Sequence, residues 1–351
     1  MIRIGIIGTG GMAKYHVQEF GKTPGVKVVA CCDVVEDRVK KFAQEYKIPA
    51  TYTDYHKMLR EEKLDGVTNV TPDPYHAEIS LAAIAHGLAV LCEKPLATSL
   101  ADARKMDRAA KKRGVVNMVN FSYRNSCGLQ AAAKAIAAGA IGRVMHVEAS
   151  YLQSWLAHTA WGDYRTAPNL TWRLSTKHGS AGVLGDLGCH IYDLTTLLAG
   201  DIAEINCKLK TFDKGHPGNC IGPYLLDAND SFVSTVVFKN GAIGTIHSSR
   251  WASGHHNSLR ARVYGDKGAV EVDLDIAYDS YKICKGTKAQ ETAKWDIVKC
   301  KRTPNNVQRF IQAMRTGKKD SCDFANGTKI QAYLHYSMVS DKTGRAAKVK
   351  V

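Results

Sequence analysis

No stretch of the chain approaches the roughly 18 consecutive apolar residues that a membrane-spanning helix needs. The N-terminus does not read as an export signal either. Met1 leads into Ile2-Arg3-Ile4-Gly5-Ile6-Ile7, an apolar stretch that is too short, with glycines where a cleavage site would lie. The ten cysteines contain no C-x-x-C spacing. Most sit in apolar runs, where cysteine behaves as a small hydrophobe, so reduced thiols and a cytoplasmic location are expected. There is no internal repeat, no low-complexity tract and no aromatic-basic alternation. The formal charge of +15 is therefore read as scattered surface charge or as steering of an anionic substrate or cofactor, not as a nucleic-acid face. Neither a nucleic-acid nor a membrane partner is expected. With 45% hydrophobic and 23% charged residues, the 351-residue chain has ordinary globular composition and room for two domains.

What is present has a clear order. Up to about residue 120, short apolar runs (Ile2–Ile7, Val26–Asp33, Gly66–Val70, Ala89–Cys92, Val115–Asn120) alternate with helical stretches to Phe20, at Glu36–Tyr46, His76–His86 and Ser99–Arg113. Such alternation implies an α/β doubly wound domain, a parallel sheet covered on both faces. The pattern then changes. A helix at Gly128–Ala138 precedes an alternating strand Arg143–Tyr151, with Met145, Val147, Ala149 and Tyr151 on one face. Two hairpin signals follow, Phe232–His247 around Asn240-Gly241 and Leu259–Leu274 around Gly265–Gly268. The second part therefore reads as an α+β domain with a largely antiparallel sheet, and Lys210–Asn229 reads as its longest loop. The expected boundaries are 1–121 and 122–351, with terminal helices at Asn305–Thr316 and Thr328–Val339 packing back on the first domain.

Gly8-Thr9-Gly10-Gly11-Met12-Ala13 follows a strand and opens a helix, and in that context a G-x-G-x-x-A run is a dinucleotide-binding loop. One glycine permits the turn, the next lets the backbone approach a pyrophosphate, and a small Ala13 lets the helix pack close to the strand. The unpaired amides of the helix start then face the phosphates. Asp33 ends the second strand, where a carboxylate can accept from ribose hydroxyls and repel a 2′-phosphate. NAD is thus favoured over NADP, although nearby Arg38 softens the preference.

Glu93-Lys94-Pro95 lies at the carboxyl end of a parallel strand, the edge where open α/β sheets bind ligands. A lysine there can reach a substrate hydroxyl, though the tripeptide alone is as good a solvated turn. Further on, Gly182–Asp193 continues in apolar sequence to Leu198 and suggests a helix that Gly185 and Gly188 weaken. On a helix Asp186 and His190 share a face, a pairing suited to proton transfer, and Asp193 is placed to orient the ring. A merely solvated polar face gives the same pattern.

Taken together, the glycine loop, the Glu-Lys-Pro about 80 residues on and the later Gly-Asp-x-Gly-x-His-x-x-Asp resemble the Gfo/Idh/MocA family, the glucose–fructose oxidoreductase and inositol dehydrogenase group. The resemblance covers nearly the whole chain and includes Tyr123-Arg124. It implies a Rossmann domain for the nicotinamide cofactor and an open-faced sheet domain for substrate and subunit contacts. Lys94, Asp186 and His190 fall on the family's catalytic positions, and Thr71, Pro72 and His76 on its cofactor-side loop, beside Glu93 and Lys94. An exposed sheet that needs covering implies a homodimer or homotetramer.

Substrate clues are softer. Tyr151, Gln153, Trp155, Trp172 and Arg173, with Trp161, Arg165 and His178, lie before the catalytic segment and suit a carbohydrate, or else pack the region. Tyr123 and Arg124 are added by the resemblance. Adjacent His255 and His256 point apart on a strand, against a metal. The expected function is an NAD-dependent oxidoreductase acting on a secondary hydroxyl of a sugar, sugar derivative or inositol-like polyol. Two alternatives stay open. One is a redox-neutral glycosidase that oxidises, eliminates, hydrates and re-reduces. The other is a non-catalytic NAD- or sugar-sensing regulator, which the presence of Lys94, Asp186 and His190 disfavours.

Overall fold

The short apolar runs of the first part pair, in the computed structural model of residues 1–351, into a six-stranded parallel sheet. Its elements in chain order are β1 (Ile2–Ile7), α1 (Gly11–Gly21), β2 (Val26–Cys32), α2 (Glu36–Tyr46), β3 (Ala50–Tyr52), α3 (Tyr55–Glu61), β4 (Gly66–Asn69), α4 (His76–Ala85), β5 (Ala89–Cys92), α5 (Leu100–Arg113) and β6 (Asn117–Val119). The strand order β3-β2-β1-β4-β5-β6 reverses direction of travel between β1 and β4. That reversal opens a crevice at the carboxyl ends of these two strands. Central strands are buried on both faces, which is why β5 reads as an unbroken apolar run, while β1 is interrupted by half-buried Arg3 and β4 buries Thr68 and Asn69. Amphipathic α1 and α2 close one side: Ala13, Val17, Val39, Phe42 and Ala43 pack with Ile6 and Cys31.

By its internal packing the chain divides into two units, Met1–Ser122 with Pro304–Gln331, and Tyr123–Thr303 with Ala332–Val351. The first unit gains the helix Asn306–Thr316, which starts on a reciprocal cap. Asn305 Oδ1 accepts from the Gln308 amide at 2.9 Å, and Gln308 Oε1 accepts from the Asn305 amide at 3.0 Å.

The second unit holds α6 (Cys127–Ala137), β7 (Val144–Leu152), α7 (Pro168–Thr171), α8 (Cys189–Ala199), β8 (Ile202–Lys210), β9 (Cys220–Ile221), β10 (Tyr224–Leu225), β11 (Ser231–Phe238), β12 (Ile243–Ser249), β13 (Ser258–Gly265), β14 (Gly268–Asp273), β15 (Ser280–Lys285), α9 (Thr287–Glu291), β16 (Asp296–Lys299) and β17 (Ala347–Lys348). Nine strands form one sheet, ordered β16-β15-β14-β13-β7-β12-β11-β8-β17, in which β7 and β12 alone run parallel. The expected doubly wound sheet followed by a largely antiparallel one is thus the observed fold. One face carries the core, as Phe232, Ser234, Val236 and Phe238 of β11 alternate with exposed Val233, Thr235 and Val237.

Several expectations need correcting. Val147, Ala149 and Tyr151 are buried as expected, but Met145, near the start of the strand, is half exposed. Lys210–Asn229 is not a plain loop, since β9 and β10 form a hairpin inside it. Strands of two residues are too short to show a period. The last helix runs Phe324–Thr343, longer at both ends than expected. The segment around Asp186 is not uniformly α-helical. Leu184–Gly188 forms a π-turn that leads into α8. A Cβ on Gly185 would lie 2.2 Å from that of Ala181, so the glycine that weakened the helix reading is what the packing of this turn requires.

Candidate active site

The first unit builds a nucleotide cradle. Gly8, at φ +91°, crosses the end of β4 so closely that a Cβ would lie 2.6 Å from the Val70 carbonyl oxygen. Gly10 and Gly11 face open space, where a Cβ would meet nothing within 4 Å. Met12 is exposed and Ala13 fully buried. A nicotinamide dinucleotide fits this arrangement. The backbone is accessible over the loop, α1 begins at Gly11, and its first turn carries no acidic side chain to compete for an anion. Asp33 stands at the end of β2, 7% exposed. Its Oδ2 accepts from the Thr9 amide at 2.9 Å and the Thr9 hydroxyl at 2.8 Å, and Oδ1 from the Val35 amide at 3.0 Å. Arg38 Nη1 lies 3.3 Å from Oδ1. Burial alone would push the Asp33 carboxyl up, but the Thr9 and Val35 bonds, with the Arg38 charge, hold it below its ordinary value.

Thr71 and Pro72 follow β4 at the same sheet edge, half buried and exposed respectively. His76 is fully buried and reaches no ligand surface. Its Nδ1 lies 2.8 Å from the Pro95 carbonyl oxygen and its Nε2 2.9 Å from that of Thr71. Both ring nitrogens face acceptors and must donate, which selects the imidazolium. Burial opposes that charge, yet Cys92, Asp73 and the Pro95 carbonyl raise the ring to about 10. The expected cofactor contact at His76 is therefore replaced by a brace between two loops. Glu93 is likewise buried. Its Oε1 meets His16 Nε2 at 2.8 Å and Asn120 Nδ2 at 2.7 Å, and its Oε2 accepts from the Lys94 amide at 3.2 Å. Burial would raise its carboxyl, but His16, Asn120 and Lys94 bring it down to about 2. Lys94 itself is half buried at the carboxyl end of β5.

The second unit places Asp186 and His190 on the π-turn and the first turn of α8. The start of that segment is pinned by Asn229, whose carbonyl accepts from the Val183 amide at 2.7 Å and whose Oδ1 accepts from the Leu184 amide at 2.9 Å. Asp186 Oδ2 takes two guanidinium groups, Arg250 Nη2 at 2.9 Å and Arg173 Nη1 at 3.3 Å. Arg250 is 1% exposed, gives Nη1 to the Arg173 carbonyl at 3.0 Å, and lies over the Trp155 ring at 4.9 Å. Trp155 is buried too, its Nε1 donating to Gln153 Oε1 at 3.0 Å, so it supports Arg250 where a substrate contact was expected.

From Gln153 the polar path continues. Gln153 Nε2 and the Tyr151 hydroxyl both donate to Asn257 Oδ1, at 2.9 and 2.6 Å, and Asn257 Nδ2 donates to the Tyr123 hydroxyl at 2.8 Å. The two tyrosine oxygens are 2.6 Å apart, and the Tyr123 ring meets His190 edge-on at 4.8 Å. Burial, with Tyr123 and Asp186 close by, pushes the Tyr151 phenol well above its usual value and keeps it a neutral donor. His190 and Asp186 are thus the two ends of one connected set of side chains.

Arg124 and Asp193 pair with each other. Arg124 is buried and gives Nε and Nη2 to Asp193 at 2.7 and 2.6 Å, so the Asp193 carboxylate serves a buried fork-on-fork pair. Trp172 is half buried beneath the Arg173 guanidinium. Trp161 is exposed, Arg165 pairs with Asp163, and His178 turns to Ser175 and Tyr224. His255 and His256 lie in the turn before β13, not on a strand. Arg250 and Asn257 in the second unit, and Thr9, His16 and Asn120 in the first, were missed as site residues. The one local signal was at Arg250, a charge directly after an alternating strand.

Known proteins carry both halves. Residues 2–121 match the family described as "Oxidoreductase family, NAD-binding Rossmann fold", and residues 129–271 the Gfo/Idh/MocA C-terminal domain. The chain is 28% identical to levoglucosan dehydrogenase of Pseudarthrobacter phenanthrenivorans over 77% of its length and 73% of the relative's. It is 26% identical to D-apiose dehydrogenase of Paraburkholderia graminis over 98% and 89%. The crystal structure of an oxidoreductase domain protein from Kribbella flavida superposes with a TM-score of 0.88 at 30% identity, covering 100% of both chains.

Proposed function

Since the chain belongs to the Gfo/Idh/MocA family of NAD-binding oxidoreductases, we propose that it is an NAD-dependent dehydrogenase of a sugar, sugar derivative or inositol-like polyol, acting at a secondary hydroxyl carbon. The observation that carries the reading is the connected set of Tyr123, Tyr151, Asn257 and Gln153 hydroxyl and amide groups between His190 and a doubly clamped Asp186. Aromatic edges beside fixed donors and acceptors suit a ring that is apolar on its C–H faces and polar at its rim. Relatives named for levoglucosan and D-apiose support the same class.

The bound nicotinamide supplies the hydride acceptor. Asp33 accepts from the ribose hydroxyls and disfavours a 2′-phosphate, so NAD is the cofactor and NADP the poorer one. His190 takes the hydroxyl proton at a ring nitrogen as hydride leaves carbon. Lys94 stabilises the alkoxide that develops, and Asp186, held by two arginines, stays a fixed anionic acceptor.

The deciding experiment pairs NADH absorbance on a panel of polyols, sugars and uronic acids with aglycone release from the matching nitrophenyl glycosides. Stoichiometric NADH is the expected result. Aglycone release that requires NAD, accumulates no NADH and disappears in Lys94→Ala would replace this reading with a redox-neutral glycosidase. Binding of NAD with no turnover of either kind would replace it with a regulator.

A further inference from the structure

Lys94 belongs to a turn, and a turn at a sheet edge does not hold an ammonium group in one place without help. We propose that Glu93 is a positioning residue for Lys94, and that through His16 it makes the Lys94 turn and the glycine-loop helix α1 a single rigid piece. The inference rests on the role given above to Lys94.

The geometry supports both parts. The Glu93 side chain is 9% exposed and that of His16 0%. Both carboxylate oxygens are occupied, Oε1 by His16 and Asn120, and Oε2 by the main-chain amide of Lys94 itself. Glu93 therefore holds the backbone of the residue that follows it. His16 lies on α1, one turn beyond the glycine loop, and its Nδ1 is fixed in turn 2.9 Å from the Thr68 hydroxyl on β4. Asn120, at the end of β6, extends the set: its Oδ1 accepts from Asn306 at 2.9 Å, and Asn306 Oδ1 accepts from Arg309 at 2.7 Å. The Lys94 turn is thus tied to α1, β4, β6 and the helix Asn306–Thr316.

On the other flank, His76 holds the Pro95 carbonyl. A buried carboxylate facing an imidazole is a costly way to fill space, and apolar side chains of similar volume in place of both members would stabilise the fold as well or better. What an apolar side chain lacks is an acceptor for the Lys94 amide and for His16 together. Helix α1 presents its first amides to the cofactor phosphates. A link from α1 to Glu93 therefore references the lysine to the same element that holds the cofactor.

The test uses Glu93→Gln, which keeps the volume and removes the charge, alone and with Lys94→Ala. Hydrogen exchange on the protein without cofactor reads the Lys94 amide directly. Segment 93–97 is expected to exchange roughly tenfold faster while the rest of the parallel sheet stays within about twofold. NADH affinity, by fluorescence, is expected to stay within about threefold. Turnover on the best polyol is expected to fall about 10- to 100-fold, the range for a catalytic group displaced by about 1 Å. In the Lys94→Ala background, Glu93→Gln should cost no more than about twofold, because a residue acting only through Lys94 has nothing left to position.

Unchanged exchange at segment 93–97, or an equal loss of turnover with and without Lys94, would overturn the proposal. So would faster exchange across the whole sheet, which marks a general structural role. His16→Gln, which keeps a donor toward Glu93, repeats the test should Glu93→Gln not fold, with the same effects expected at smaller size and the same results overturning it. If the wild-type protein oxidises no polyol, the dehydrogenase reading fails while the exchange arm still decides whether Glu93 holds Lys94.

Discussion

Two arginines share one oxygen of Asp186, and their unequal surroundings make a quantitative prediction. Arg250 is 1% exposed and 2.9 Å away, and Arg173 is 38% exposed and 3.3 Å away. Replacing Arg250 with Met removes a charge-assisted bond to Asp186, a second bond to the Arg173 carbonyl, and a desolvated cation on Trp155. Breaking a buried pair by deleting one member costs about 3–5 kcal/mol of stability. The catalytic effect has a separate origin. Asp186 keeps its charge but loses the partner that is held rigidly, so its direction is no longer fixed. A loss of roughly 100-fold in kcat/KM for the polyol is expected, about 2.7 kcal/mol in the barrier. Arg173→Ala removes a half-exposed, longer contact of about 0–1 kcal/mol, and should cost no more than roughly fivefold. NADH affinity should hardly move in either variant, because the glycine loop belongs to the first unit. The assay is steady-state kinetics at a temperature well below each variant's urea or thermal midpoint. Equal effects of the two substitutions, or an Arg250→Met enzyme within threefold of wild type, would refute the reasoning.

Three further expectations follow from the same geometry. Asp193→Asn leaves the buried Arg124 guanidinium without its carboxylate and should lower unfolding free energy by about 3–5 kcal/mol in urea titration, whereas replacing both members with apolar residues should cost far less. Glu93 has a carboxyl depressed from 4.5 to about 2, so its stabilising contribution is complete above about pH 4.5 and is lost as pH falls toward 2; denaturation midpoints measured from pH 6 to pH 2 should fall less steeply in Glu93→Gln. Gly8→Ala forces a Cβ to 2.6 Å from the Val70 carbonyl at a positive φ, and should weaken NADH binding at least tenfold in a fluorescence titration while α1 itself persists by circular dichroism.

Much of the first unit was legible because its central strands are largely buried and helices such as α2 and α5 are amphipathic. Glu36–Tyr46 and Ala89–Cys92 were read to the residue. The three-residue strand Ala50–Tyr52 was not read, nor was the helix Tyr55–Glu61, both being too short to display a period. In the second unit the hairpins announced themselves through their turns. The strands Ile202–Lys210, Ser280–Lys285 and Asp296–Lys299, with lysines or polar residues on their open faces, did not. For the candidate site, sequence proposed the side chains that local motifs carry, including Asp33, Lys94, Asp186 and His190. It could not name their partners, because those come from far along the chain: Arg124 and Asp193 are 69 positions apart, and Asp186 and Arg250 are 64. The same gap explains why the burial of Glu93 and His76 did not show in the sequence. Proximity in sequence to a binding loop gives no sign of which way a side chain turns.

The Thr9–Asp33 contact bears on how such a protein could change its cofactor. Exchanging the acidic residue after the second strand is the obvious route from one dinucleotide to the other. Here that residue also anchors the glycine loop, through the amide and the hydroxyl of its second residue. A lineage that replaced Asp33 with a neutral residue would loosen the phosphate cradle before gaining any grip on a 2′-phosphate. The step is therefore uphill when taken alone, and a successful switch of coenzyme in this scaffold, by descent or by design, must rebuild position 9 together with position 33.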